Sequence, residues 1–253
     1  MLETGEQEVL LVIADISGYT RFMTANRETL AHSQIVISEL MRAILKELKT
    51  PLRISKLEGD AVFFYLPKQG NERALRGMAT GFRDRIDRIF HAFDRRISQL
   101  VQSNECPCAG CSSVEMLRLK MVIHSGSALI YRLDRFTELS GFDVILVHRL
   151  LKNGVTGDEY VLLSEEARAD LFAPDESMFE ESEERYEDIG LVRTFVYRPH
   201  SRRADYPAGS FDGPVDRWKT HQIKNWAARL LNWGLLRVGK FNHLPDRIDS
   251  ARS

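Results

Sequence analysis

The chain has 253 residues, of which 43% are hydrophobic and 28% charged, so it can bury a sizeable core without disulfides or metals. Its 35 lysines and arginines nearly balance 36 aspartates and glutamates, and the net charge of -1 excludes a protein that binds polyanions over its whole surface. No stretch approaches the ~18 apolar residues of a membrane span, and the N-terminus lacks the basic and apolar segments of a signal peptide, so we expect a cytoplasmic protein.

The first part of the chain is predicted to alternate strands and helices. Residues 9–14 (VLLVIA) form a continuous apolar run, which is typical of a strand buried on both faces. Apolar residues at helical spacing then predict a helix over about 29–48, which ends before Pro51. Residues 52–56 and 61–66 are predicted to be two strands around a tight turn, so we expect a β-hairpin there.

The middle of the chain begins with its most regular segment, residues 75–100, where apolar residues recur every three or four positions and predict one long amphipathic helix. Residues 117–123 and 127–133 are predicted to form a second hairpin, with its turn at His124-Ser125-Gly126. The remaining expected elements are a helix at 144–151, a strand at 159–163, a helical turn opened by Ser164, and closing strands at 186–189 and 194–197. Helices between hairpins whose strands return to one sheet indicate an α+β sandwich.

The last part of the chain differs from the rest in charge and composition. Residues 198–214 are rich in Pro, Gly, Ser and Arg without periodicity, which predicts a linker. Residues 201–253 contain ten Lys and Arg against five Asp and Glu, a net +5, whereas residues 1–200 contain 25 against 31, a net -6. We therefore expect a folded domain over 1–200, followed over 201–253 by a linker and a basic amphipathic tail helix.

Three tryptophans of this tail, Trp218, Trp226 and Trp233, fall on one side of the predicted helix. Tryptophans beside basic residues suit a membrane surface, and such a helix would hold the protein at the periphery of the membrane. Alternatively, the apolar stripe docks on the body of the protein or on a dimer partner. No extended basic face accompanies the stripe, which argues against nucleic-acid binding.

Two acidic residues adjoin the predicted apolar strands, at positions where core packing does not require a charged side chain. Asp15 directly follows the first apolar run, and Asp60 lies at the tip of the first hairpin, next to Gly59. If the two strands are neighbours, both carboxylates emerge at the same edge of the sheet, where they could hold Mg²⁺ against phosphates. The alternative is that Asp15 caps the following turn and Asp60 is an ordinary turn residue.

Five stretches of the chain resemble, in the same order, the catalytic domains of class III nucleotide cyclases. Residues 14–20 (ADISGYT) are similar to the F-A-D-I-x-G-F-T opening of that family, and residues 56–60 (KLEGD) to its K-x-x-G-D hairpin. Residues 119–127 (LKMVIHSGS) resemble the R-I-G-I-H-x-G strand, residues 141–150 (GFDVILVHRL) the G-x-x-V-N-x-A-x-R-L helix, and residues 186–197 the closing strands. The resemblance indicates a poorly characterised bacterial branch and implies the ferredoxin-like cyclase sandwich, an antiparallel sheet with helices packed on it.

The resemblance implies a two-metal site. Asp15 and Asp60 would bind two Mg²⁺ or Mn²⁺ ions, with the backbone carbonyl of Ile16 as a further ligand. Arg149 would stabilise negative charge on the reacting phosphate; the alternative is an ordinary arginine on the surface of the helix. The other substrate-binding positions that the motifs imply are Gly18, Tyr19, Thr20 and Gly59.

The resemblance also implies the reaction and the assembly. The 3′-hydroxyl of a nucleoside triphosphate attacks the α-phosphate of the same molecule. Pyrophosphate leaves, and a 3′,5′-cyclic nucleotide is formed. Lys56 and Glu138 occupy the base-reading positions, where a donor beside an acceptor matches adenine, so ATP is expected; the alternative for this pair is a structural salt bridge. Cytosine matches equally well, and guanine or uracil match with the roles exchanged. The family's sites lie in a head-to-tail homodimer, with the metal aspartates from one copy and the base-reading residues and arginine from the other.

One position departs from the family pattern. Ile145 stands where the family has an asparagine that orients the ribose, and an isoleucine side chain cannot form a hydrogen bond. Either a neighbour such as Asp143 takes over that role or turnover is slow. The alternative to an enzyme is therefore a catalytically degenerate cyclase-like domain that binds a nucleotide or a partner as a sensor.

All three cysteines lie in one short loop, as Cys106, Cys108 and Cys111, too close together for the disulfide framework of a secreted protein. They could supply three thiolates to zinc, with a fourth ligand from His91, His124 or a second chain. Redox-active thiols and an ordinary loop are the alternatives that the spacing leaves open.

Overall fold

The computed structural model describes residues 5–27, 30–48, 51–102, 113–134, 136–172 and 178–199. The cysteine loop and the tail lie outside these residues, so the zinc site, the tail helix and the domain boundary stay predictions. The strands are β1 (Gly5–Ser17), β2 (Arg53–Glu58), β3 (Ala61–Pro67), β4 (Arg118–Leu133), β5 (Phe136–Ser140), β6 (Tyr160–Ser164), β7 (Glu180–Tyr186) and β8 (Gly190–Tyr197). The helices are α1 (Tyr19–Ala25), α2 (Leu30–Leu48), α3 (Glu72–Thr80), α4 (Phe82–Gln102), α5 (Phe142–Leu150) and α6 (Glu165–Leu171), with a 3-10 helix at Val114–Met116.

The strands form one sheet in the order β2-β3-β1-β4-β6-β8-β7, and β5 pairs with β4 outside this row. Neighbouring strands are antiparallel except for β4 and β6, which run parallel. β1 pairs with β4 from Gly5 opposite Ile130 to Ser17 opposite Arg118, and it pairs with β3 on its other side. This sheet with helices packed on it confirms the predicted α+β class.

The central strands β1 and β3 are buried on both faces, and successive side chains along them alternate between the two faces. Leu11 and Ile13 of β1 belong to one buried cluster with Val147 of α5. Val12 points to the opposite face and lines a small apolar cavity with side chains of α2 and α4. Asp15 continues the row of Leu11 and Ile13, so the first predicted carboxylate lies on the face that α5 covers.

The single long helix predicted over 75–100 is wrong, because the chain forms two helices that meet at Gly81. The amide of Gly81 donates a 3.3 Å hydrogen bond to the carbonyl of Gly77 at the end of α3. Glycine is a poor helix former, and the two glycines weaken the continuation that the apolar periodicity favours. The break places the ring of Phe82 edge-on against Phe172, with centroids 4.6 Å apart.

The second predicted hairpin is wrong as well, because residues 118–133 form the single strand β4. His124, Ser125 and Gly126 continue the strand instead of turning, with Gly126 opposite Val9. β1 is 13 residues long and offers β4 a continuous partner, which outweighs the local turn signal.

The strand predicted at 186–189 is also wrong. These residues hold the end of β7 and the turn to β8, which is closed by a 3.3 Å hydrogen bond from the amide of Ile189 to the carbonyl of Tyr186. Gly190 follows with a φ of 94°, a left-handed conformation that glycine adopts readily. The closing strand β8 therefore begins at Gly190, four residues before the predicted start.

Candidate active site

The structure brings Asp15 and Asp60 together at one end of the sheet. Asp15 lies opposite Ala61 in the pairing of β1 with β3, and Asp60 directly precedes Ala61. The backbone amide of Ile16 donates a 3.1 Å hydrogen bond to the carbonyl of Asp60, which fixes the two aspartates side by side. Their carboxyl groups are in contact, as expected for two acidic residues at a shared edge.

The two carboxyl groups disturb each other electrostatically. Burial raises the pKa of Asp15, and the neighbouring ammonium of Lys120 partly opposes this rise. Burial and then the negative charge of Asp15 raise the pKa of Asp60 to about 6. Two crowded carboxylates cost free energy unless a cation compensates them, and such perturbed groups concentrate at binding and catalytic sites.

Lys120 is the residue that sequence reasoning missed. It lies directly opposite Asp15 in the pairing of β1 with β4, and its ammonium nitrogen is 3.2 Å from Asp15 Oδ2. The same nitrogen donates a 3.2 Å hydrogen bond to the carbonyl of Leu151, just after α5. The cyclase-like stretch over 119–127 contains this lysine, but only the register of the two strands reveals that it faces the carboxyl pair.

Lys56 of β2 and Glu138 of β5 also meet, although they are far apart in sequence. The ammonium of Lys56 lies 2.6 Å from Glu138 Oε2, and the hydrogen bond to this carboxylate raises the pKa of Lys56. The lysine side chain is 43% exposed and that of the glutamate 21%, so both groups remain accessible to a ligand. The pair presents a cationic donor beside an anionic acceptor on one protomer.

Arg149 lies near the end of α5 with its guanidinium half exposed. Its Nη2 lies 3.4 Å from Oδ2 of Asp188, and the side chain of this aspartate is 76% exposed. Ile145 stands one helical turn earlier and is 57% exposed, so an apolar side chain occupies the position of the expected asparagine. This helix is also tied to the first hairpin, because His148 Nε2 lies 3.4 Å from Glu58 Oε1.

Both carboxylate oxygens of Asp143 have partners inside the protein, and its role in place of the missing asparagine stays a prediction. Oδ1 lies 3.0 Å from His124 Nε2, and Oδ2 accepts a 2.6 Å hydrogen bond from the amide of Ser127. His124 is 1% exposed, and its Nδ1 lies 2.7 Å from Ser164 Oγ. Ser164 in turn caps α6, as predicted, by accepting a hydrogen bond from the amide of Ala167. His124 is therefore a structural residue whose ring nitrogens have partners.

Two glycines shape the loops beside the aspartates. Gly18 precedes α1 with a φ of 86°, and Gly59 stands in the turn between β2 and β3 with a φ of 71°. Both conformations are left-handed and favour glycine. Tyr19 and Thr20 begin α1, and their contacts with a substrate stay predictions.

Within the described ranges, no group of three or more His, Cys, Asp and Glu side chains is positioned to hold a metal ion. A metal at the Asp15–Asp60 pair would therefore take its other ligands from backbone carbonyls, water or substrate, which is how Mg²⁺ is commonly held. Among the helices that the structure describes, none is long and apolar enough to cross a membrane.

Two sequence comparisons find relatives without an assigned activity. Residues 37–160 match the family described as "Protein of unknown function (DUF2652)". The chain is 34% identical over 129 residues to "Uncharacterized protein Rv2561/Rv2562" of Mycobacterium tuberculosis (strain ATCC 25618 / H37Rv). This match covers 51% of the present chain and 57% of the relative, so the chain spans little more than half of that protein.

The fold is similar to solved adenylyl and guanylyl cyclases. The guanylyl cyclase Cya2 superposes with a TM-score of 0.60 at 12% identity, covering 82% of this chain and all of that one. The adenylyl cyclase CyaB from P. aeruginosa gives 0.54 at 18% identity, covering 80% and 99% of the two chains. A bacterial light-regulated adenylyl cyclase gives 0.57 at 12% identity, covering 81% of this chain and 56% of that one. At these sequence identities the similarity establishes the cyclase fold. It does not establish the activity, which has to be argued from the residues of the site.

Proposed function

We propose that this chain is a class III nucleotide cyclase that converts a nucleoside triphosphate, ATP first among them, to a 3′,5′-cyclic nucleotide and pyrophosphate. The observation that carries the proposal is the contact of Asp15 with Asp60 at one end of a cyclase-like sheet. The proposed reaction transfers a phosphoryl group within one molecule, so the protein has to position the substrate and stabilise charge.

The donor set at the carboxyl pair fits Mg²⁺ or Mn²⁺. Both ions prefer oxygen ligands, and the pair offers carboxylate oxygens whose mutual repulsion a dication would relieve. We propose that Asp15, Asp60 and the carbonyl of Ile16 hold two such ions. Bound there, the ions would lower the pKa of the 3′-hydroxyl and neutralise charge on the departing pyrophosphate.

Arg149 is proposed to stabilise the charge on the reacting phosphate. Its side chain is half exposed and lies 3.4 Å from the solvent-exposed carboxylate of Asp188, a contact that a phosphate can displace at little cost. The planar fork of the guanidinium suits bidentate hydrogen bonds to phosphate oxygens.

Lys56 and Glu138 are proposed to read the base. The lysine donates to a ring nitrogen and the glutamate accepts from an adjacent amino group, which is the pattern of adenine and also of cytosine. The two side chains already contact each other, so the substrate base would insert between charged groups that are held in register by β2 and β5. Guanine and uracil would require the two groups to exchange roles.

A homodimer is the proposed assembly, and the exposed apolar residues near the base-reading pair support it. β2 contacts β5, and β5 contacts both β4 and α5, so these elements form one region around Lys56 and Glu138. The large apolar side chains exposed on these elements are Ile54, Leu57, Leu129, Leu133, Phe136, Phe142 and Ile145. A second copy that covered them would remove apolar surface from water and could bring its own aspartates to this site.

Turnover assays test the reaction and the base. Purified protein is incubated with Mn²⁺ and each of ATP, GTP, CTP and UTP, and products are separated by chromatography. We expect a cyclic product from one triphosphate, absent in Asp60→Asn and unchanged in Asp158→Asn, which alters an exposed surface acid. Equal turnover in wild type and Asp60→Asn would contradict the proposal.

Mixing two inactive variants tests the shared site. Asp60→Asn and Arg149→Met each disable both sites of their own homodimer. A mixed dimer retains one intact site if the two residues act across the interface, so random exchange should restore about a quarter of the wild-type activity. No recovery after subunit exchange would contradict a site built from both copies.

The second candidate is a catalytically degenerate cyclase domain that senses a nucleotide. The observation that favours it is the exposed, apolar Ile145 at the asparagine position, beside an Asp143 whose two oxygens already contact His124 and Ser127. Metal-dependent binding of a triphosphate without any cyclic product, in the same four incubations, would establish this candidate in place of the enzyme.

A further inference from the structure

The ammonium of Lys120 lies beside the carboxyl pair, in contact with Asp15. Its nitrogen is 3.2 Å from Asp15 Oδ2, a salt-bridge distance at which it uses one of the oxygens that a dication would need. The lysine side chain is 20% exposed and that of Asp15 15%, so water screens their interaction only in part.

The charges around this position are uneven. Asp15 and Asp60 bring two carboxyl groups into contact, and Lys120 is the cation that acts on both of them. The ammonium therefore offsets part of the negative charge that attracts a metal. A dication that enters the pair has to displace the ammonium from Asp15 or accept its repulsion at close range.

We propose that Lys120 is a built-in counter-ion that weakens divalent metal binding to the free carboxyl pair and thereby couples metal binding to arrival of the triphosphate. This inference rests on the proposed function, because it concerns the same two carboxylates. The incoming triphosphate brings negative charge of its own, which compensates the ammonium and lets the metal enter alongside it.

The surroundings of Lys120 allow this exchange. A lysine ammonium has three donors on a flexible four-carbon stem, so it can release one partner and keep another. The carbonyl of Leu151 is that second partner, at 3.2 Å. Because Leu151 follows α5, the ammonium can leave Asp15 while it stays anchored to the helix that carries Arg149.

Direct metal binding tests the inference without any turnover. Free Mn²⁺ is measured by electron paramagnetic resonance during titration of the wild type, Lys120→Gln, Lys120→Met and Lys120→Arg, without nucleotide. We expect the two neutral variants to bind Mn²⁺ on the order of tenfold more tightly, the factor that corresponds to 1.4 kcal/mol of relieved repulsion. Lys120→Arg keeps the charge and should bind like the wild type. A thermal melt of each variant shows that it is folded.

Lys68 provides a matched control. Its side chain is 22% exposed, and its ammonium contacts two other carboxylates, Asp170 at 2.6 Å and Glu8 at 3.3 Å. Lys68→Met should therefore leave Mn²⁺ affinity unchanged, whereas Asp60→Asn should abolish binding at the pair.

The outcomes separate this inference from the proposed function. Wild-type affinity in both neutral variants, or equally tight binding in Lys120→Arg, overturns the counter-ion role and leaves the metal site intact. If neither the wild type nor a neutral variant binds Mn²⁺, even with a non-hydrolysable ATP analogue, the metal site and the proposed cyclase reaction both fail. A smaller effect of the analogue on Mn²⁺ affinity in Lys120→Gln than in the wild type supports the coupling.

Discussion

Replacing Asp60 by asparagine should make the metal-free protein more stable while it removes the candidate activity. The substitution keeps the size of the side chain and removes the charge that the contact with Asp15 opposes. An asparagine amide can donate a hydrogen bond to the Asp15 carboxylate at any pH, whereas the Asp60 carboxyl can do so only while it is protonated. The expected gain reflects the free energy that burial, and then the nearby charge of Asp15, cost the ionised Asp60 carboxylate.

The size of this gain in stability and its dependence on pH follow from the pKa of Asp60, which burial and the charge of Asp15 raise from 3.8 to about 6. A raised carboxyl pKa means that the folded state holds the proton more tightly, so stability falls as pH rises between about 4 and 6 and stays low above. At ~1.4 kcal/mol per pKa unit the full shift amounts to about 3 kcal/mol, which partial exposure reduces to about 1–2 kcal/mol. For a domain of this size, that corresponds to roughly 2–8 °C in Tm.

Thermal melts of wild type and Asp60→Asn at pH 4.5 and pH 8, with chelator or with Mn²⁺, check this prediction. With chelator, the variant should melt higher at pH 8 and the difference should shrink at pH 4.5. With saturating Mn²⁺ at pH 8, the wild type should gain about 2.7 kcal/mol at a hundredfold excess over Kd and the variant nothing. Asp158→Asn serves as the exposed control. If the variant is less stable than the wild type at pH 8 without metal, the ionised Asp60 carboxylate does not destabilise the folded protein, and the reasoning is refuted.

Three further substitutions probe the surroundings of the site. Gly126→Ala should lower the free energy of unfolding in urea by about 1–3 kcal/mol, because the added Cβ would lie 2.3 Å from Cγ of Asp143, which is fixed by hydrogen bonds; unchanged stability would contradict this packing. His124→Ala should cost about 2–4 kcal/mol in the same assay, since it opens a buried cavity and leaves Asp143 and Ser164 without their ring partner. Ile145→Asn should change stability by less than about 0.5 kcal/mol because the side chain is exposed. It should also raise cyclase turnover about tenfold through one new hydrogen bond to the ribose, so a lower kcat would count against the asparagine role.

The sequence alone determined the features that depend on local pattern. The apolar run at 9–14, the helix over 29–48 and the first hairpin are confirmed as β1, α2 and the β2–β3 pair. Each of these has a strong periodicity and a clear stop, such as Pro51 or the Gly59-Asp60 turn. The placement of both aspartates at the ends of strands followed from the same local signals.

Local pattern failed where a distant partner outweighed it. The turn predicted at residues 124–126 does not form, because β1 offers β4 a continuous ladder of hydrogen bonds. There the tertiary pairing exceeded a local preference of about a kcal/mol. Over 75–100 the apolar periodicity concealed the break at Gly81, where two glycines weaken the helix and Phe82 packs against Phe172.

The composition of the candidate site was decided by the tertiary structure. Lys120 faces Asp15 only because β1 and β4 pair in one register, and a shift by one residue would have turned the lysine to the opposite face. The contact of Lys56 with Glu138 likewise requires β2 and β5 to come together. The sequence by itself therefore determined which groups are available for the chemistry, whereas strand register, a property of the whole sheet, decided which of their charges meet.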